Sequence, residues 1–197
     1  MWAGQECYII GGGDSLRGFD FERLRGRRII AINAAYRFAP WADVLFFGDT
    51  HFLARHGTHL DQFGGIVVSS SRDHHNTPGV LTLSKRNTEG ISADPLIFNW
   101  NRSSGGCAID LAVRFGVRKI TLLGYDMQLS PDGRNNFHDH YPPRKPNKKH
   151  NPYGRFVLPY PRLARDLERL GIVCVNAVGV PESRIDAFRK VKLEDVC

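Results

Sequence analysis

Residues 7–33 read CYIIGGGDSLRGFDFERLRGRRIIAIN. Three apolar residues, Tyr8 to Ile10, run into Gly11, Gly12 and Gly13, followed by Asp14 and Ser15. A short helical stretch at residues 20–24 and a second apolar run at 29–32 lead to Asn33. Apolar runs separated by a glycine turn and a helical segment read as strand, turn, helix, strand. That order opens many nucleotide-binding sheets. The glycines are not spaced G-x-G-x-x-G, which argues against a dinucleotide oxidoreductase. No G-K-[ST] follows, which argues against a P-loop ATPase.

The pattern continues along the chain. Apolar runs at 44–47, 66–69, 120–123 and 172–175 are predicted strands, the last ending on Asn176. Residues 51–63 carry Phe52, Leu53, His56, Leu60 and Phe63 at helical intervals. Residues 104–115 repeat Ala108, Leu111, Ala112 and Phe115, with a serine cap before them and Gly116 after. Residues 161–170 form another predicted helix, stopped by Gly171. The stretch 77–98 is less regular, with a short strand at 80–83. Residues 130–160, rich in Pro, Asn, Asp and His, read as a long lid-like loop. Strands alternating with helices predict an α/β, Rossmann-like, mainly parallel sheet with helices on both faces. Neither an internal repeat nor a linker divides the chain, so residues 1–197 are expected to form one domain.

Composition narrows the class. Hydrophobic residues make up 42% of the 197 and charged residues 24%, as in soluble globular proteins. No apolar run approaches the roughly 20 residues of a membrane span, and the N-terminus has no signal-peptide pattern, which points to the cytoplasm. Cys7, Cys107, Cys174 and Cys197 lack metal-ligand spacing. The net charge of +7 suits a phosphorylated substrate or nucleic acid. An acceptor such as a modified DNA base is one expectation that follows. Residues 141–150 and 23–28 concentrate the cations.

Ligands of parallel sheets bind beyond the carboxyl ends of the strands. Those ends are polar or small here: residues 11–15, 33–36, 48–51, 69–72, 124–128 and 176. Glycines admit a ligand to backbone amides, and Ser15 adds a donor. Asp14 opposes a phosphate unless it caps the helix or binds a sugar hydroxyl or metal. Asn33 can read a base or ribose edge. Asp49 closes the strand at 44–47, and Tyr125 and Asp126 follow the one at 120–123. Ser103, Ser104 and Gly105 exceed what a helix cap needs and read as an anion site. In the loop, His138 or His150 is the candidate general base, preferred over a metal site. Tyr141, Tyr153, Arg144 and Arg155, with Lys145, Lys148 and Lys149, could close over phosphates.

The succession IIGGGDSL, AIN, DVLFFGD, SSGGCAIDLAVRFGVRKITLLGYDM and a His/Tyr-containing loop resembles the Campylobacter-type bacterial sialyltransferases. It is similar also to archaeal 6-hydroxymethylpterin diphosphokinase-like proteins and small phage proteins of the same Rossmann-like superfamily. The resemblance covers roughly residues 7–176 in patches. It implies a nucleotide-sugar donor held by Gly11 to Ser15, Asn33 and Ser103 to Gly105. Tyr141 or Tyr153 would hold the leaving phosphate, and His138 or His150 would be the base. That reaction needs no metal. The diphosphokinase branch would instead use ATP and Mg²⁺, with Asp49 and Asp126 as ligands. A non-catalytic nucleotide-binding module is a third possibility, and an isologous dimer is the default oligomer.

Overall fold

The computed structural model describes residues 2–141 and 151–196. Eight strands of these residues make one sheet, in the order β10-β9-β8-β1-β2-β3-β4-β5. They are β1 (Glu6–Ile10), β2 (Arg28–Ile32), β3 (Val44–Phe47), β4 (Ile66–Ser69), β5 (Val80–Thr82), β8 (Lys119–Leu123), β9 (Val173–Val178) and β10 (Arg189–Lys192). Two more, β6 (Ser84–Arg86) and β7 (Ile97–Asn99), pair separately. Every neighbouring pair is parallel. A parallel sheet is covered on both faces, so its strands are apolar throughout.

Alternation along each strand divides the core in two. Cys7, Ile9, Ile30, Val44, Phe46 and Leu122 face one layer, built from α2 (Ser104–Arg114) and α4 (Tyr160–Arg169). Tyr8, Ile10, Ala31, Leu45, Phe47 and Leu123 face the other. This second layer is thinner than the sequence predicts. The stretch at 20–24 is a 3-10 turn, Phe21–Leu24. The helix expected over 51–63 is only α1 (Phe52–His56), followed by a 3-10 stretch, Gly57–Gln62. Gly57 and Thr58 are weak helix formers, so the apolar periodicity survives in a tighter winding.

Three other expectations change. Strand β9 runs through Asn176 to Val178, so Asn176 is a wholly buried strand residue whose Nδ2 donates to Ser183 Oγ at 2.8 Å. It does not mark a strand end. The edge strand β10, with sequence RKVK, has no apolar run to announce it; basic residues are a common protection of sheet edges. The lid-like stretch 130–160 is partly helical, carrying α3 (Tyr153–Phe156) and the start of α4.

The strand order places the site. From β1 the chain moves outward through β2, β3, β4 and β5, then returns to lay β8 against the other side of β1. The carboxyl ends of β1 and β8 therefore flank the point where the winding reverses. Connections leave that point in opposite directions and open a crevice between them.

Candidate functional site

A cleft of about 440 Å³ lies at this crevice. Its walls come from every strand end around the reversal. Gly11, Gly12 and Gly13 follow β1, Asn33 follows β2, and Gly48 and Asp49 follow β3. Ser103, Ser104 and Gly105 form the start of α2, and Tyr141, Tyr153 and Arg155 close the far side.

The glycine turn is held to β8. Gly11 N donates to Leu123 O at 2.7 Å and Gly13 N to Gly124 O at 2.9 Å. A Cβ on Gly12 would come within 2.6 Å of Asn136 Oδ1, and one on Gly13 within 2.5 Å of the Asp126 carboxyl. A Cβ on Gly11 would come within 2.7 Å of Gly124 O, so Gly11 and Gly13 are required by close packing, and two of the turn's three amides are already used.

Asp14, Ser15 and Asp126 stand behind this turn and are not among the lining residues, which corrects their reading as cleft groups. Asp126 accepts from Ser15 N at 2.8 Å and from Ser15 Oγ at 2.5 Å, joining the two strand ends beneath the glycines. Burial raises the Asp126 pKa, and the Ser15 donors pull it back. Asp14 is buried and paired with Arg17 one turn on. These contacts leave Ser15 occupied and Asp126 out of reach of a substrate in the cleft.

Asn33 does face the cleft. Its backbone is left-handed, with φ of 53°, and its Oδ1 is buried with no hydrogen-bond partner among the described residues. Among the described residues, four that are not glycine have a left-handed backbone; three of them, Asn33, Arg102 and Met127, line the cleft. Such conformations cost about 1–3 kcal/mol and concentrate at functional sites.

The approach to α2 is rigidly held. Asn101, fully buried, accepts from Gly90 N at 2.7 Å and donates to Gly90 O at 3.0 Å and Asn99 O at 3.1 Å. Asp110, inside α2, accepts from Asn99 N at 2.9 Å. Arg102 is paired with Glu89. Ser103 caps the helix by accepting from Gly106 N at 3.1 Å, leaving the first amides of α2 at the cleft wall. Tyr125 donates to Gly105 O at 3.1 Å with its ring buried, so it buttresses this wall.

Charge at the cleft is unbalanced. Arg55, Arg102 and Arg155 line it, and Asp49 is the one carboxylate among the described lining residues. Asp49 lies 4.0 Å from Arg55. On the far side, Tyr153 Oη donates to Asn135 O at 3.3 Å. Burial pushes the Tyr141 pKa up to about 12.

His138 does not reach the cleft lining. Its ring is stacked on Phe38 at 5.7 Å, against Phe137 and near Tyr141. Burial first, then the neighbouring His140, lowers its pKa from 6.5 to about 4. A base this weak and this buried belongs to the packing of the lid's root. The unfolded chain takes up a proton near 6.5 and the native state resists until about 4, so stability is full above pH 6.5 and falls on acidification towards 4. Melting temperatures recorded from pH 7.5 to 5 are expected to fall less steeply in His138→Gln than in the wild type. Parallel curves would refute the burial account. His150 and Arg144, with Lys145, Lys148 and Lys149, lie outside the described residues.

Among the described residues no three His, Cys, Asp or Glu side chains form a metal-holding group. Asp49 and Asp126 do not converge as the Mg²⁺ ligands that the diphosphokinase reading needs, since Asp126 is bonded to Ser15 behind the glycine turn. Met127 and Gln128 fall in the strand-end stretch 124–128 expected from the sequence, whereas Trp100, Arg102, Arg55, Asn135 and Asn136, also in the lining, do not follow from it. Trp100 and Arg102 sit immediately before the serine pair, which was the available signal.

Comparison with solved structures decides the fold. The chain is similar to the sialyltransferase CstII from Campylobacter jejuni, solved in complex with a substrate analogue, CMP-3FNeuAc. The identity is 14%, the match covers 95% of this chain and 86% of that one, and the TM-score is 0.53. The chain shares that Rossmann-like fold. No family model matches it, and a search of curated proteins finds no match. The archaeal and phage branches of the resemblance therefore rest on sequence motifs alone. No helix among the described residues is long and apolar enough to cross a membrane.

Proposed function

We propose that the cleft holds a nucleotide-linked donor, a nucleotide sugar, and that the protein transfers the sugar to a hydroxyl acceptor. The observation that carries this reading is the cleft at the sheet's reversal point, where three guanidiniums and the N-terminus of α2 meet one carboxylate. Such a site favours a phosphate. The fold shared with a structure solved with CMP-3FNeuAc supports a sugar donor over other nucleotides.

In this reading the bond between the anomeric carbon and the phosphate oxygen breaks as the acceptor oxygen attacks. Arg102, Arg155, Tyr153 and the first amides of α2 hold the charge that develops on the leaving phosphate. Asn33 Oδ1, buried and unpartnered among the described residues, accepts from a ribose hydroxyl or base amine. The acceptor's proton passes to a base, for which His150 is the proposed histidine.

A donor screen tests the proposal. CMP-, UDP- and ADP-linked sugars are incubated with the protein and followed for release of free nucleotide. One class is expected to be turned over and to raise the melting temperature by mass action. If none of the three is turned over and none raises the melting temperature, the proposal is contradicted.

A further inference from the structure

Asp49 and Arg55 both line the cleft, and neither is assigned to the leaving phosphate. Asp49 follows β3, one strand further from the glycine turn than Asn33 after β2. The residue before it, Gly48, is pressed against the start of α2, since a Cβ there would lie 3.2 Å from Ser104 Oγ. Asp49 and Arg55 therefore border the amides assigned to the phosphate, where the group attached to that phosphate lies. One turn positions both side chains. Asp49 O accepts from Phe52 N at 3.1 Å, and Asp49 Oδ1 accepts from His51 N at 2.9 Å. Arg55 is on α1, which Phe52 anchors; that ring is 1% exposed and stacked on Phe47 at 4.2 Å. Asp49 Oδ2 and Arg55 Nη1 are left 4.0 Å apart, with both side chains about half exposed.

That separation is too long for a direct hydrogen bond, but it suits an oxygen placed against both atoms. A hydroxyl oxygen can lie about 2.8 Å from each, with an angle of about 90° between the two contacts. It then donates to the carboxylate and accepts from the guanidinium, two roles that an alcohol combines. A carboxylate at the same place would satisfy Arg55 but meet Asp49 as a like charge, which opposes binding. We infer that Asp49 and Arg55 bind a hydroxyl of the transferred sugar, and that Asp49 makes the cleft selective for neutral sugars over acidic ones. This rests on the nucleotide-sugar reading above, and it names the class of sugar.

The test measures affinity for matched donors that differ only in charge on the sugar. The pairs are UDP-glucose with UDP-glucuronic acid, ADP-glucose with ADP-glucuronic acid, and the methyl ester of CMP-N-acetylneuraminic acid with the free acid. Free CMP, UDP and ADP are the controls. In the series that binds, the wild type is expected to prefer the neutral member about 10-fold. Asp49→Asn, which keeps an acceptor for His51 N, should reduce that preference to about 2-fold or less. Arg55→Gln should weaken the neutral donor about 10-fold while leaving the free nucleotide unchanged. The melting temperature of each free variant reports that it is folded. An acidic member bound as tightly as its neutral partner by the wild type would overturn this inference alone. So would a preference that survives in Asp49→Asn, or an Arg55→Gln variant that loses the free nucleotide equally. A wild-type protein that binds no donor and no free nucleotide would overturn the nucleotide reading, and this inference with it.

Discussion

Arg102→Gln is expected to weaken nucleoside monophosphate binding by about 10- to 100-fold while moving the melting temperature by only about 2 °C. Arg102 sits at the cleft wall with φ of 57°, held by Glu89 and by the bonded segment around Asn101. A guanidinium fixed in this way donates to a phosphate with little ordering cost. Its pair with Glu89 is partly exposed, at 41% and 32%, and pairs of that kind contribute little to stability. Glutamine keeps the left-handed residue non-glycine, so backbone strain is unchanged and the lost charge is isolated. Titration calorimetry and thermal unfolding of the same samples check both halves. A large fall in melting temperature with affinity intact would show that Arg102 is structural.

Asp126→Ala has the opposite profile. Its carboxylate takes both Ser15 donors, and Ser15 is 7% exposed. Removing it leaves a buried amide and a buried hydroxyl unpaired, at about 1–3 kcal/mol each. The expected loss is about 2–6 kcal/mol, or roughly 5–20 °C for a domain of this size. Ser15→Ala leaves the amide contact and should cost less. The double variant should be less destabilised than the sum, because the two residues share one interaction. If Asp126 were a reacting group, its loss would instead abolish turnover at an unchanged melting temperature.

The sheet was legible because its strands are buried on both faces and read as apolar runs closed by small or polar residues. Residues 8–10, 29–32 and 44–47 fall inside β1, β2 and β3. The start of α2 was legible because Ser103 has a local job, capping, that leaves a sequence mark. The glycine turn was legible as a turn but not as a packed one. Its partners, Asp126 and Asn136, are more than 100 residues away and reach it only once β8 lies against β1. For the same reason Ser15 and Asp126 read as cleft groups from sequence and prove to be bonded to each other. His138 misled because a histidine in a polar loop looks solvated, whereas Phe38 and Phe137 bury it. Arg102 and Met127 owe their places to left-handed backbone at residues with no glycine or asparagine to announce it.

In the proposed function the nucleotide donor sits where the sheet reverses, between the ends of β1 and β8. Hydrogen exchange with and without the donor class that stabilises the protein tests it most directly. Protection centred on residues 11–13, 33, 100–106, 124–128 and 153–155, absent in Arg102→Gln at the same donor concentration, is the result expected. Protection elsewhere, with these segments exchanging as in the free protein, would contradict it.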